Sequence, residues 1–225
     1  MSDMFDHSVV SKSWAFESKI SGKTASKNKP VYMVSKRIFD IVVSCGALPV
    51  FLVLCVAIYL VNIFWNPGPL FFRQERMGKD QRKFSMIKFR TMLPEEKSTK
   101  RGPFDKLEEW RITPFGQWMR RTRLDEVPQI LNVIMGQMSL IGPRPEVFEF
   151  AQVYHKEMPS YHLRETVRPG ITGYAQVKQG YTDSEEAVRI KTKLDTFYVQ
   201  NMNWWLDLKV LFDTVRVTLT FYGAR

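Results

Sequence analysis

Two adjacent carboxylates, Asp125 and Glu126, stand at the start of an apolar, helix-like run in a chain that is otherwise basic. Arg120, Arg121 and Arg123 precede them directly. A helix N-terminus stabilises nearby carboxylates through its unpaired N–H groups and its dipole, so one interpretation makes Asp125 a cap and Glu126 a solvated first-turn residue. The arginines favour another. They would keep both carboxylates ionised, so that Asp125 could attack phosphorus and Glu126 could hold Mg²⁺.

Two stiff turns that carry arginine follow this pair. Arg144 lies between Pro143 and Pro145, whose fixed φ angles would aim the guanidinium in one direction, a geometry that suits a phosphate. Arg168 precedes a Pro-Gly pair, and Gly170 could offer its backbone N–H to an anion or allow a tight path past a ligand. Stiff surface turns without a ligand are the alternative interpretation of both stretches.

Several reaction classes are excluded by missing motifs. The chain has no Walker-type G-x-x-x-x-G-K-[ST], no G-x-G-x-x-G and no G-x-S-x-G, so acyl transfer and hydride transfer are not expected. Cys45 and Cys55 lie on one apolar segment, where ten residues of helix separate them by about 15 Å, too far for a disulfide. Zinc-type spacing of Cys and His is absent as well, so any metal would be a hard cation bound by oxygen.

Charge narrows the partners. The chain of 225 residues carries 33 Lys and Arg against 23 Asp and Glu, a formal net charge of +10. Nucleic acid, anionic lipid and phosphorylated small molecules are therefore the plausible partners. The length suits one domain with an appendage.

An uncharged segment, Ile41 to Trp65, separates two basic flanks. Its 25 residues are long enough to reach across a membrane. Basic residues on both sides favour placing both ends in the cytoplasm, which a straight span cannot achieve. Pro49, close to Gly46, would bend the helix and return it to the same side, so we predict a re-entrant membrane helix. A Pro-kinked single span is the alternative.

The rest of the chain predicts an α+β fold that is mainly helical. Residues 1–33 are polar, without apolar periodicity, and predict a disordered or loosely attached leader. Residues 34–66 are predicted to form the membrane-embedded helix, and residues 67–225 the remaining domain. Within that domain, two strands joined by a turn at Gly78–Asp80 are predicted first, followed by helices. Apolar residues at helical spacing in the C-terminal stretch WWLDLKVLFDTVRVTL indicate either core packing or an interfacial helix.

From KRIFD, beginning at Lys36, to about Val217, the chain resembles the bacterial sugar transferases that are monotopic polyprenyl-phosphate phosphoglycosyl transferases. The resemblance covers roughly four-fifths of the chain. The motifs that carry it are PGPLFFRQERMG, KFRTM, LDEVPQILNVIMGQMSLIGPRPE, RPGITGYAQV and LDTFYVQN. The Ser-Pro pair that the family usually has at its membrane bend is not present, because Pro49 follows Leu48.

The resemblance implies a two-step reaction. Asp125 would attack the β-phosphorus of a UDP-sugar and expel UMP, while Glu126 helps to hold Mg²⁺. Undecaprenyl phosphate would then take the phosphosugar from the aspartate. Arg144 and Lys88 match family residues that suit phosphate binding. Asp195 matches an aspartate that could complete the metal or substrate site. Arg168 and Gly170 are weaker candidates, because they lie in a similar stiff turn that could bind an anion.

The resemblance also implies a place in the cell. It predicts a small catalytic domain facing the cytoplasm, held at the bacterial inner membrane by the re-entrant helix. The expected partners are a UDP-sugar, undecaprenyl phosphate and membrane lipid, without nucleic acid, and a homodimer is left open. The reaction would begin exopolysaccharide, capsule or O-antigen synthesis. A non-catalytic, membrane-anchored basic module that binds anionic lipid or a partner of that machinery is the rival hypothesis.

Overall fold

A computed structural model describes residues 29–93, 102–105, 108–179 and 184–219. Most of the predicted leader, residues 1–28, lies outside the described residues. The described part is mainly helical and carries two small two-stranded sheets, which confirms the predicted α+β class.

The apolar segment forms one long helix, α1 (Pro30–Trp65), of 36 residues. It begins within the predicted leader, because Pro30 occupies the first helical turn, where a missing N–H has no cost. Pro49 lies inside the helix, which continues through it instead of ending there. By length and composition α1 can cross a membrane. The helix is continuous, and its length and composition do not show whether it re-enters the membrane. The re-entrant path therefore stays a prediction.

One stripe of α1 is buried against the rest of the protein. Residues of this stripe recur every four or seven positions on both sides of Pro49, as Tyr32, Lys36, Asp40, Ser44, Phe51, Ile58 and Asn62. The other faces are apolar and exposed, for example at Val42, Val53 and Phe64. Because apolar surface of this extent is costly in water, the exposed faces of α1 are suited to an apolar environment.

The two predicted strands form an antiparallel hairpin. Strand β1 (Phe71–Met77) pairs with β2 (Lys83–Phe89), and a 3-10 turn at Lys79–Gln81 joins them, where the sequence predicts a polar turn. The rings of Phe71 and Phe89 stack on each other at 5.5 Å. Phe51 of α1 stacks on Phe89 as well, so the hairpin is fixed to the long helix.

A helix, a tight turn and a second helix follow. Helix α2 (Pro114–Arg121) is capped by Thr113. Arg123 adopts a left-handed conformation with φ of 60°, and a 3-10 turn then precedes α3 (Gln129–Ile134). The sequence predicts a helix that begins near residues 123–126, and the regular α-helix begins later.

The remaining elements complete the domain around a short parallel sheet. Strand β3 (Ser139–Ile141) pairs with β4 (Gly170–Thr172). The helices of this part are α4 (Phe148–Glu157), α5 (Tyr174–Gln179), α6 (Glu185–Asn201) and α7 (Trp204–Leu219). A 3-10 turn at Tyr161–Glu165 precedes β4.

Helix α7 shows features of both interpretations of its sequence. Trp204 packs its ring edge-on against Tyr32 and Phe39 of α1. On another face of α7, Trp205 and Phe212 are 83% and 74% exposed. The helix therefore contributes to the core and also presents an apolar surface.

Candidate active site

The two predicted acidic residues lie on the 3-10 turn Leu124–Glu126, and both are buried. Asp125 and Glu126 are each 7% exposed. The left-handed Arg123 turns the backbone directly before them. Neither carboxylate caps the next helix, whose first position follows Pro128 without a side-chain cap. The interpretation as a cap and a solvated neighbour is therefore wrong for this pair.

Glu126 is held by two cations from different parts of the chain. Lys88 Nζ donates to its Oε1 at 3.1 Å, and Arg144 Nη1 donates to its Oε2 at 3.2 Å. Arg144 Nη2 also donates to Oε1, and Arg123 Nη1 lies 4.0 Å from the same oxygen. Burial alone would raise the pKa of Glu126, but Arg144 and Lys88 hold it well below its usual value. Glu126 is thus a permanently charged anchor.

Asp125 differs from its neighbour in bonding. Its carboxylate accepts no hydrogen bond from any residue that the structure describes. Burial raises its pKa, and Lys88 and Arg144 lower it again, while the charge on Glu126 raises it further. Asp125 is the oxygen donor of the pair that is available to a ligand.

Lys88 is positioned by the contact between β2 and α3. Asn132, on α3, accepts a hydrogen bond from the Ile87 N–H at 3.0 Å and donates one to the Ser85 carbonyl at 2.8 Å. This side chain replaces a strand partner along β2. It also aligns β2 with the segment that carries Asp125 and Glu126.

Arg144 is positioned by the parallel sheet. The Gly142 N–H donates to the Thr172 carbonyl, and the Gly170 N–H donates to the Pro143 carbonyl, both at 2.9 Å. A methyl group on Gly170 would overlap the Gly142 backbone nitrogen. Gly170 thus serves close strand approach, and its N–H is already used, contrary to its predicted role as an anion donor.

Arg168 makes no hydrogen bond to the Asp125–Glu126 turn among the described residues. Its Nε donates to the Gly136 carbonyl at 2.9 Å, just beyond α3. Three charged residues of α1 border a cavity beside it, namely Lys36, Arg37 and Asp40. Arg168 therefore bonds to the backbone just beyond α3, whereas Arg144 bonds to Glu126.

Asp195 is 1% exposed and is occupied by an arginine. Arg164 donates to its Oδ2 through Nε at 2.9 Å and through Nη2 at 2.7 Å. Arg164 Nη2 also donates to the backbone carbonyl of Arg144 at 2.6 Å. Asp195 thus reaches the site through Arg164 and the Arg144 backbone. No sequence pattern pointed to Arg164, because this pairing joins residues far apart in the chain.

The family model described as "Bacterial sugar transferase" matches residues 31–221. The chain belongs to the bacterial sugar transferase family. This match confirms the resemblance drawn from the motifs.

Curated relatives of this bacterial sugar transferase include two undecaprenyl-phosphate sugar phosphotransferases and an exopolysaccharide production protein. The chain is 42% identical over 197 residues to a UDP-N-acetylgalactosamine-undecaprenyl-phosphate N-acetylgalactosaminephosphotransferase of Aeromonas hydrophila, covering 87% of this chain and 46% of the relative. It is 39% identical over 191 residues to a UDP-glucose:undecaprenyl-phosphate glucose-1-phosphate transferase of Klebsiella pneumoniae, covering 82% and 40%. It is 36% identical to the exopolysaccharide production protein PSS of Rhizobium leguminosarum bv. phaseoli, covering 84% and 96%. The chain thus spans less than half the length of the first two relatives.

The residues of this site fit Mg²⁺ only in one mode of binding, in which the substrate supplies some of the ligands. Within the described residues, no group of three or more His, Cys, Asp or Glu side chains could enclose a metal. Mg²⁺ is, however, commonly held by one or two carboxylates together with substrate phosphates. Asp125 and Glu126 supply such a pair, and no donor within the described part of the chain would have to leave the carboxylate of Asp125.

Proposed function

We propose that this bacterial sugar transferase moves a sugar 1-phosphate from a UDP-sugar to undecaprenyl phosphate, giving undecaprenyl diphosphate sugar and UMP. The names of two relatives include both substrates. The observation that carries the proposal is the contrast within the acidic pair. Glu126 is neutralised by Lys88 and Arg144, whereas the buried carboxylate of Asp125 accepts no hydrogen bond from the described residues.

In the first step, an oxygen of Asp125 attacks the β-phosphorus of the UDP-sugar. The bond between this phosphorus and the oxygen that bridges to the α-phosphorus breaks, and UMP leaves with the bond electrons. The sugar phosphate is then an acyl phosphate on Asp125. Burial favours attack, because a nucleophile with few hydrogen bonds loses little solvation when it reacts.

In the second step, a phosphate oxygen of undecaprenyl phosphate attacks the same phosphorus. The bond to Asp125 breaks, the carboxylate is restored, and the product is undecaprenyl diphosphate sugar. Arg144 and Lys88 stabilise the charge that spreads over the phosphoryl oxygens in both steps. Their present partner, Glu126, holds both cations close to the reacting carboxylate.

Glu126, together with the diphosphate, would hold Mg²⁺, which would supply charge neutralisation for the leaving UMP. We place the reaction at the bacterial inner membrane with the catalytic domain facing the cytoplasm. The apolar exposed faces of α1 support attachment to a membrane, and a bend at Pro49 would return the helix to the cytoplasmic side. The product would begin exopolysaccharide, capsule or O-antigen synthesis.

The test is UMP release by detergent-solubilised protein supplied with undecaprenyl phosphate, Mg²⁺ and a panel of UDP-sugars. We expect one or a few sugars to release UMP. Asp125→Asn should lower the rate at least about 1,000-fold, because an amide cannot form the acyl phosphate. A second readout omits undecaprenyl phosphate and seeks the mass of a sugar phosphate on the peptide that contains Asp125.

The matched control is Asp80→Asn, at an exposed aspartate whose left-handed backbone asparagine tolerates. This variant should keep full activity. Turnover by Asp125→Asn at the unaltered rate would contradict the nucleophile. An absence of UMP release with every sugar, with salt-sensitive binding to anionic vesicles, would favour the non-catalytic membrane module instead.

A further inference from the structure

The loop that presents Arg144 is held from behind by two arginines, the buried Arg164 and the partly buried Arg76, each of which donates to one of its carbonyls. Arg164 Nη2 donates to the Arg144 carbonyl at 2.6 Å, and Arg76 Nη1 donates to the Pro145 carbonyl at 3.1 Å. Neither guanidinium hydrogen-bonds to Asp125 or Glu126. Both act on the backbone, at the residue whose side chain reaches the site and at the next one.

The side chain of Arg164 is itself fixed by hydrogen bonds to Asp195 and Tyr161. Its Nε and Nη2 donate to one oxygen of Asp195, and its Nη1 donates to the Tyr161 hydroxyl at 2.9 Å. Arg164, Asp195 and Tyr161 are 3%, 1% and 1% exposed. A planar guanidinium can make these bonds and reach the Arg144 carbonyl at once, whereas a lysine ammonium offers one point of contact.

The backbone explains why this carbonyl matters. Pro145 restricts Arg144 to extended backbone angles, within which ψ can still vary by about 40°. A hydrogen bond to the Arg144 carbonyl narrows ψ, and ψ decides how the loop lies relative to the Arg144 side chain. The side chain then meets Glu126 from a fixed direction.

The flanking residue is held in the same way. Glu146 accepts a hydrogen bond from Lys191 at 2.8 Å and lies 3.9 Å from Arg76. Burial would raise the pKa of Glu146, but Lys191 and Arg76 lower it to about 2. The charged groups behind the loop are therefore paired with one another and are not available to a substrate.

We infer that Arg164, locked by Asp195 and Tyr161, is a positioning residue that acts through Arg144 and touches no substrate itself. This inference rests on the proposed function, because it takes Arg144 to contact the donor phosphates. It also gives Asp195 a role different from completing the metal or substrate site.

The test is a double-mutant cycle on UDP-sugar affinity, measured by calorimetry with Mg²⁺ in the Asp125→Asn protein so that no turnover intervenes. Arg164→Lys and Arg144→Lys should each weaken binding roughly 10-fold, since a displaced or single-point cation loses the bidentate contact. If Arg164 acts only through Arg144, the double variant should bind within about 2-fold of Arg144→Lys alone. Arg189→Lys, at an exposed arginine paired with Glu185, is the matched control and should bind normally.

Multiplying effects of about 100-fold in the double variant would overturn the inference, and so would unchanged affinity in Arg164→Lys. Should Arg164→Lys fail to fold, Asp195→Asn and Tyr161→Phe remove one lock each. They should then show the same dependence on Arg144. Absence of UDP-sugar binding to the Asp125→Asn protein itself would contradict the proposed function. This outcome differs from UDP-sugar binding whose affinity does not change in Arg164→Lys, which contradicts only the role of Arg164.

Discussion

Two regions of the molecule bury a carboxylate against cations, and they differ in how completely its oxygens are used. At the base of α1, Asp207 accepts hydrogen bonds from Tyr32 and Lys36 on Oδ2, both at 2.7 Å, and from Tyr198 on Oδ1 at 2.6 Å. All of these residues are buried. This cluster has one cation for one anion and binds α1 to α6 and α7.

The turn with Asp125 and Glu126 is arranged differently. Lys88 and Arg144 both bond to Glu126, while Asp125 beside it receives no hydrogen bond from the described part of the chain. Leaving a buried carboxylate without donors costs stability, so selection for stability alone would satisfy it. The difference supports assigning the saturated cluster to the architecture and, on the proposed function, the unsaturated pair to the chemistry.

The largest effect that we expect is the loss of folding stability when Asp207 of the saturated cluster is replaced. Asp207→Asn leaves the Lys36 ammonium buried without its counter-charge, which typically costs about 3–5 kcal/mol. We expect the variant to unfold at a much lower temperature in detergent, as followed by circular dichroism. Below that temperature its UMP release per folded molecule should stay near normal, because the cluster holds architecture and no substrate.

The matched control for Asp207→Asn lies on the same helix. Asp213 pairs with Lys178 at 3.2 Å and is more exposed, so Asp213→Asn should cost below about 1 kcal/mol. Equal destabilisation by both variants would contradict a special role for the saturated cluster. A loss of turnover without a loss of stability in Asp207→Asn would move this cluster into the active site.

A smaller effect is expected at the unsaturated pair. Arg144→Lys keeps the positive charge but loses the two-pronged contact with Glu126, and with it the geometry suited to phosphate. We expect kcat/KM for the UDP-sugar to fall about 10- to 100-fold, or about 1.4–2.7 kcal/mol of transition-state stabilisation. The unfolding temperature should change little. A strongly destabilised variant with normal kcat/KM would mean that Arg144 stabilises the fold and does not bind the substrate. The two carboxylate regions would then not differ in function.

The sequence predicted the unsaturated pair better than its surroundings. Asp125, Glu126, Lys88 and Arg144 all fall in contiguous motifs, and the structure brings them together. The anion-donor role predicted for Gly170 was wrong, because its N–H donates to the Pro143 carbonyl. Spacing alone cannot distinguish a glycine needed for anion binding from one needed for close strand approach.

Other features depend on tertiary contacts that no local pattern encodes. The bond from Arg164 to Asp195 joins residues 31 positions apart, and the Asp207 cluster joins the two ends of the described chain. The left-handed conformation of Arg123 was not predicted either, because arginine has no preference for it. The elements were predictable where apolar periodicity and turn residues are strong, as in the β1–β2 hairpin and α1.

The smallest effect concerns another buried carboxylate, Glu165, which is only partly hydrogen-bonded. One of its oxygens contacts His155 Nε2 at 2.8 Å, and the other has no hydrogen-bond partner within the described residues. Burial raises the pKa of Glu165 from 4.5 to about 7, against the lowering effects of Arg164 and His162. The folded protein therefore binds this proton more tightly than the unfolded chain does.

The sign of the pH effect follows from that difference. The stability that the protonated Glu165 contributes is fully present below about pH 4.5 and is lost as pH rises through about 7. Glu165→Gln cannot titrate, so the free energy of unfolding of the natural protein, relative to this variant, should fall by about 2 kcal/mol between pH 5 and pH 8, as a folded pKa of about 7 against 4.5 requires. Chemical denaturation in detergent at several pH values measures it, and Glu149→Gln, at an exposed glutamate, should show no such trend. A relative stability that rises with pH would mean that Glu165 is ionised in the fold and paired with a protonated His155, which would place it with the saturated carboxylate of Asp207.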